Sequence, residues 1–452
     1  MGEKDRKTYH IETLGCQMNE RDSETIAGML ETMGYARASE WRTAGVIVVN
    51  TCSVRENADN RFFGLLGRIK KIKEAAPHTV VAVCGCMMQQ QHVVDRVKST
   101  YGWVDIVFGT HNIHEFSRLL ANVTDEKAKV VSVWDEGGEI VEGLPAARRY
   151  PYKAFVNITR GCNNFCTYCI VPYTRGREQS RGAEQIIGEV RNLCADGVKE
   201  ITLLGQNVNS YRGRDAADSE QYVDFPDLLY LLSEVEGLSR IRFMTSHPKD
   251  FSDKLIRAFA ELEKLCPGVH LPVQAGSDHI LECMNRGYTK ETYLSLLAKL
   301  REVLPDIVIT TDLIVGFPGE TEADFEETMD LIERARFDSA FTFLFSPRKG
   351  TPAAEYDAQV SEDVKHRRFN RMVERVNAIT LEKNRLYVGR TERVLAEGRS
   401  KTDETMLTGR TAGGKLVNFA SDDRSIGKFA DVEIVGVNTF SFFGRVKDEF
   451  QE

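Results

Sequence analysis

Three cysteines in the first quarter of the chain, Cys16, Cys52 and Cys86, stand 36 and 34 residues apart. Each closes an apolar, β-branched run, at residues 9–14, 46–50 and 79–83, and a fourth such run lies at 104–108. Polar, helix-favouring stretches separate them, near 20–33, 55–74, 89–98 and 113–122. Each spacing equals one strand–helix unit, so the pattern predicts a parallel, doubly wound sheet with crossovers on both faces. Such sheets bind ligands beyond the carboxyl ends of their strands, which would gather the three thiols at one edge. A single cysteine ending a strand is ordinary packing; three at equivalent positions are not. Cys84, Cys194, Cys266 and Cys283 lack ligand spacing and read as packing residues.

A second group is tighter. Arg160-Gly161-Cys162-Asn163-Asn164-Phe165-Cys166-Thr167-Tyr168-Cys169 holds three cysteines in a C-x-x-x-C-x-x-C pattern. Thiolates are soft ligands, and this crowding lets one loop wrap a single metal centre. Iron–sulfur clusters are usually held by four thiolates, yet the next cysteine is Cys194. Three ligands leave one position open, as catalytic metal sites require. The alternative is structural zinc or a disulfide with a distant fourth partner.

The motif, with Tyr168 before its last cysteine, resembles the radical S-adenosylmethionine enzymes. In that family the open iron chelates S-adenosylmethionine, and reductive cleavage yields a 5′-deoxyadenosyl radical that abstracts hydrogen from substrate. Preceded by a three-cysteine domain, it resembles the methylthiotransferases over nearly the whole chain. There Cys16, Cys52 and Cys86 would hold a second [4Fe–4S] cluster through which sulfur reaches the substrate. By this likeness Cys86, rather than Cys84, is the third ligand. The run Thr13-Leu14-Gly15-Cys16-Gln17-Met18-Asn19 is similar to the branch that modifies prenylated adenosine in transfer RNA; the ribosomal-protein branch has Pro-Lys after that cysteine.

Beyond a Gly/Pro-marked linker (137–152), strand and helix alternate about six times, with strands at 154–159, 200–204, 240–245, 269–272, 306–315 and 340–345. Six units fall short of a closed eight-fold barrel and suit the partial (βα)6 barrel of the radical family, with functional groups at the carboxyl ends of the strands. The resemblance places cofactor binding on Tyr168, Gln206, Thr245, Gln274 and Arg286, the last pairing with the methionine carboxylate. Residues 362–384 read as a long helix capped by Ser361, with Arg367, Arg368, Arg371 and Arg375 along one side. After it, short strands with glycine turns (387–448) predict a small antiparallel barrel similar to the TRAM RNA-binding module. Expected domains are therefore 1–136, 153–386 and 387–452.

Charge tests the RNA expectation. The chain carries a net −8, while residues 365–399 hold ten Lys/Arg against four Glu. RNA affinity would have to come from a localised basic surface. Ten cysteines without an apolar leader point to a reducing cytoplasm, and no apolar run is long enough for a membrane span. The resemblance implies a monomeric tRNA methylthiotransferase using two [4Fe–4S] clusters, S-adenosylmethionine and an electron donor such as flavodoxin or ferredoxin. Two alternatives stay open: another target (threonylcarbamoyladenosine or a ribosomal-protein aspartate), or a non-catalytic iron–sulfur RNA-binding regulator.

Overall fold

The computed structural model describes residues 7–53, 56–126, 128–214 and 221–448, omitting the side chains of 56–59. The first domain runs β1 (Thr8–Thr13), α1 (Gln17–Thr32), β2 (Ala36–Arg37), β3 (Val46–Thr51), α2 (Glu56–Ala75), β4 (Val80–Gly85), α3 (Gln91–Thr100), β5 (Ile106–Phe108), α4 (Phe116–Glu126) and β6 (Val130–Ser132). All pairings are parallel, in the order β2-β1-β3-β4-β5-β6. Alternation along the strands builds two cores. Val80, Ala82 and Cys84 pack with α1 and α4 residues such as Ile26, Leu30 and Phe116. Val81 and Val83 pack on the other face with Phe62, Leu66, Val94 and Val97 of α2 and α3. The sheet is doubly wound, as expected. The direction in which successive strands are added reverses between β1 and β3, and a crevice opens at such a switch point. The short strands β2 and β6 were not foreseen, and Arg55, the expected start of α2, lies outside the described residues.

The central domain supplies β7 (Lys153–Asn157), β8 (Thr159–Arg160), α5 (Val171–Arg175), β9 (Gln179–Ser180), α6 (Ala183–Ala195) and β10 (Glu200–Leu204). Next come β11 (Arg212–Arg214), β12 (Tyr222–Asp224), α7 (Phe225–Ser233), β13 (Arg240–Phe243), α8 (Asp253–Glu261) and β14 (Gly268–His270). The domain closes with α9 (Asp278–Cys283), α10 (Lys290–Val303), β15 (Val308–Val315), α11 (Glu322–Ala335), β16 (Ser339–Leu344) and α12 (Glu362–Arg385). Two parallel three-stranded sheets, β7-β10-β13 and β14-β15-β16, are joined by a parallel bridge from Ile241 to Leu265. The result is an open six-stranded barrel. Its outward residues, among them Ile201, Leu203, Ile241 and Ile309, share one core with the surrounding helices.

The terminal strands β17 (Thr391–Arg399), β18 (Met406–Thr411), β19 (Leu416–Ala420), β20 (Phe429–Val437) and β21 (Phe442–Val446) close a barrel. One pairing corrects the antiparallel expectation: β19 and β21 run parallel. This barrel sits on the amino-terminal ends of the central strands. Arg240 donates to the carbonyls of Arg393 (2.6 Å) and Arg410 (3.1 Å), and Arg242 to those of Thr411 and Ala412 (both 2.8 Å). A Cβ on Gly268 would lie 2.8 Å from Gly413 O, so the backbones touch there.

Helix α12 also departs from expectation. Ser361 occupies the N-cap, but its hydroxyl makes no capping bond. Met372, Val376 and Ile379 are buried in the central core. Arg368, Arg371 and Arg375 are ion-paired with Glu320, Glu322, Glu326 and Glu333. Acids some 45 residues upstream thus neutralise most of that side, leaving Arg367 exposed. No helix among the described residues is long and apolar enough to cross a membrane.

Candidate metal centres and cofactor site

Cys16 is the N-cap of α1, Cys52 follows β3, and Cys86 opens the short turn Cys86–Gln89 after β4. Glycines permit this geometry. Gly15 adopts φ +122°, and a Cβ there would meet Cys52 Cβ at 2.4 Å and its sulfur at 2.8 Å. Gly85 adopts φ +94°, where a Cβ would strike Thr51 O at 2.3 Å. Asn19, one turn into α1, lies between two of the thiols: Cys16 Sγ is 3.8 Å and Cys86 Sγ 4.0 Å from its Oδ1. Its amide group donates to Leu14 O (2.9 Å) and Thr51 O (2.7 Å), which fixes the oxygen toward the sulfurs. Cys84 is wholly buried and packs in the core that β4 shares with α1 and α4.

The second triad lies on the loop between β8 and α5. Gly161 (φ +74°) and Phe165 (φ +47°) turn the loop back on itself. Asn285 Nδ2 donates to the carbonyls of Asn164 (3.1 Å) and Phe165 (3.2 Å), and Thr167 N to Met284 O (3.1 Å). Two donors address the sulfurs: Asn164 N on Cys162 Sγ at 3.5 Å and Arg286 Nη1 on Cys166 Sγ at 3.3 Å. Arg286 is buried and also contacts Tyr168 Oη (3.4 Å), Tyr288 Oη (2.8 Å) and Pro272 O (2.7 Å). Its guanidinium therefore braces the cysteine loop. Burial pushes the Cys162 thiol up and the Cys169 thiol up to about 12. Such thiols need a cation to become thiolates, and the donors on Cys162 and Cys166 suit an anionic sulfur cluster. Among the described residues, no three His, Cys, Asp or Glu side chains gather as they would about one metal ion.

The other expected cofactor residues occupy the carboxyl ends of neighbouring strands. Thr245 (φ +65°) and Gln274 (φ +79°) are left-handed, a conformation that is costly for a β-branched residue. Both are held there: Thr245 Oγ1 donates to Gly205 O (2.5 Å), and Gln274 N donates to Asp312 O (2.9 Å). Strain of this kind collects at functional sites. Gln206 Oε1 is buried without a hydrogen-bond partner, as is His247 Nε2. His247 is pushed down to about 2, by burial first and then by Arg286 and Lys249, and is therefore neutral. Gly316, just after β15, meets Lys365: a Cβ there would lie 2.3 Å from Lys365 Cγ.

Three residues escaped the sequence reading. Asn19 and Asp22 sit on α1, and Arg175 ends α5, six residues beyond Cys169. Arg175 donates to Cys86 Sγ (3.3 Å), Asn19 Oδ1 (2.8 Å) and Asp22 Oδ2 (2.7 Å). A lone arginine after the cysteine loop was the available signal; its partners lie about 90 to 155 residues upstream.

Residues 156–332 match the radical SAM superfamily, 8–109 a family described as uncharacterized protein family UPF0004, and 385–447 the TRAM domain. The chain is folded like the radical methyltransferase TsrM from Kitasatospora setae (TM-score 0.55, 14% identity, 77% of this chain and 75% of that one). It is also folded like the cobalamin-dependent radical enzyme OxsB (TM-score 0.51, 12% identity, 83% and 56%). Barrel, cysteine loop and superfamily match together define a radical S-adenosylmethionine enzyme. The proteins named tRNA-2-methylthio-N(6)-dimethylallyladenosine synthase from Alkaliphilus oremlandii and Clostridium perfringens strain 13 are 54% and 52% identical to it. They align over 98% of this chain and over 93% and 98% of their own lengths. The chain belongs to that synthase family.

Proposed function

We propose that the chain replaces the C2 hydrogen of N6-isopentenyladenosine, next to the tRNA anticodon, with a methylthio group. The observation that carries this reading is the pair of cysteine triads, each at the carboxyl edge of a parallel sheet and linked to the other through Arg175. The relatives' names support the substrate. Cys162, Cys166 and Cys169 hold one [4Fe–4S] cluster, and Cys16, Cys52 and Cys86 hold the other. When bound, the clusters and S-adenosylmethionine supply the electron, radical, sulfur and methyl group, chemistry beyond side-chain acids and bases.

The chain's own residues bind and orient. Asn164 N and Arg286 place hydrogen on the Cys162 and Cys166 sulfurs. Tyr168, Gln206, Thr245 and Gln274 form the cofactor's side of the barrel mouth, where the unpaired Gln206 Oε1 offers an acceptor. Buried thiols release their protons on ligation. The terminal barrel binds tRNA, and a flavodoxin- or ferredoxin-like protein delivers electrons to a monomer in the cytoplasm.

Anaerobic reconstitution, iron counting and mass spectrometry of prenylated and unprenylated anticodon stem-loops test this. Methylthiolation of the prenylated RNA alone is expected. Product on threonylcarbamoyladenosine RNA or on a ribosomal protein, or no S-adenosylmethionine cleavage under reduction, would overturn it.

A further inference from the structure

Arg175 belongs to the segment carrying the radical triad, but its guanidinium lies wholly within the other triad's surroundings. It is 8% exposed, and its neighbours in sequence are tied to both sides. Thr174 O accepts from Thr110 Oγ1 of the first domain (2.7 Å), while Gly176 O accepts from Cys162 N (3.1 Å). The backbone flanking Arg175 is thus anchored to one triad's first cysteine and to the other triad's domain.

The side chain is equally constrained. Asp22 Oδ2 and Asn19 Oδ1 hold Nη2, so the fork can present Nε only to Cys86 Sγ. Asn19 cannot rotate away without abandoning Leu14 O and Thr51 O. A planar guanidinium donates in a fixed geometry that an ammonium cannot copy. Hydrogen bonds to ligand sulfur draw electron density from a cluster and set its reduction potential.

We propose that Arg175 is a positioning residue for sulfur transfer, holding Cys86 at a fixed orientation to the radical triad and setting the potential of the cluster it ligates. The inference rests on the two-cluster reading above. One cation thereby couples two centres that the sequence places in separate domains: a shift of the cysteine loop moves the donor on the second triad's sulfur.

The test uses reconstituted full-length protein carrying Cys162→Ala, Cys166→Ala and Cys169→Ala, so that only the second cluster remains. Redox titration followed by electron paramagnetic resonance should show a more negative midpoint and an altered spectrum in Arg175→Gln, with Arg175→Lys between it and the parent. In chains with all six cysteines, the ratio of methylthiolated RNA to 5′-deoxyadenosine should fall at least tenfold in Arg175→Gln and recover partly in Arg175→Lys. An unchanged potential, spectrum and product ratio would overturn the role of Arg175. If Arg175→Gln failed to retain iron, Asp22→Asn would decide. That variant loosens the hold on Nη2, so retained iron with an altered spectrum and a lowered product ratio supports the proposal, whereas a normal spectrum and ratio, or the same iron loss, overturns it. A parent with no cluster signal would instead sink the two-cluster reading.

Discussion

Arg368 on α12 donates from Nη1 to Glu320 Oε1 at 2.8 Å, and both side chains are almost fully buried. Glu320 also accepts from Gly316 N at the end of β15 (3.1 Å to each oxygen). Burial raises the Glu320 carboxyl to about 7, with the Gly316 amide and Arg368 pulling against it. Removing one partner of a buried pair strands the other charge, at a cost of about 3–5 kcal/mol. Arg368→Met should therefore lower the urea midpoint sharply. A carboxyl whose folded pKa is raised costs stability as pH climbs above its unfolded value near 4.5. In the wild-type chain that loss ends near pH 7; in Arg368→Met it should continue above 7. Equal midpoints at pH 7 and 8.5 in the variant would contradict this.

The ion pairs of α12 change what truncation can test. A cut near Ser361 removes Met372, Val376 and Ile379 from the central core, so that chain should not fold. A chain ending at Leu386 keeps them and loses only the terminal barrel. Its tRNA affinity should fall and its logarithmic salt slope should shrink by about 0.7–0.9 per lost phosphate contact. Arg371→Gln should leave both unchanged, because that guanidinium is held by Glu322 and Glu326. Filter binding at several salt concentrations measures all three.

The triads should separate functionally. Alanine at Cys162, Cys166 and Cys169 should abolish 5′-deoxyadenosine formation while the other cluster's iron remains. Alanine at Cys16, Cys52 and Cys86 should spare cofactor cleavage and abolish sulfur transfer. Cys84→Ala should keep both clusters, since its side chain faces the α1/α4 core. Loss of iron in Cys84→Ala with retention in Cys86→Ala would reverse the ligand choice.

Gly15→Ala should act like loss of a ligand. The left-handed backbone costs an alanine roughly 1–2 kcal/mol, and the new methyl would overlap the Cys52 side chain. Iron content should fall by half in a chain that still folds, as judged by circular dichroism. Full iron loading would show that the loop can yield.

Acid should destabilise the fold through His247. Its folded value near 2 lies below the ordinary 6.5, so its contribution is complete above pH 6.5 and is lost as pH falls. Each unit is worth up to about 1.4 kcal/mol. Urea midpoints at pH 6.5, 5.5 and 4.5 should fall less steeply in His247→Asn; identical slopes would exclude His247 as a source of the acid limb.

Periodicity located the long elements to within about four residues at their ends because their apolar faces are local information. Strands β2 and β6 have two and three residues, too few for any alternation to register. The cysteines were legible because spacing itself encodes the strand–helix repeat. The arginines of α12 misled for the opposite reason: most of their acidic partners sit on α11 and the loop before it, and one helix's charge says nothing about the surface opposite it. Arg175 stayed invisible on the same ground. Its chemistry depends on Asn19, Asp22 and Cys86, which only folding brings near.

The terminal barrel closes the end of the central barrel remote from both cysteine triads. Strand β15, eight residues long, separates those ends by roughly 26 Å. A nucleic acid anchored on the terminal barrel would have to span that gap to present a base to the triads. On the proposed RNA-binding role of that barrel, the span from anchor to target base adds a length requirement to the chemical one.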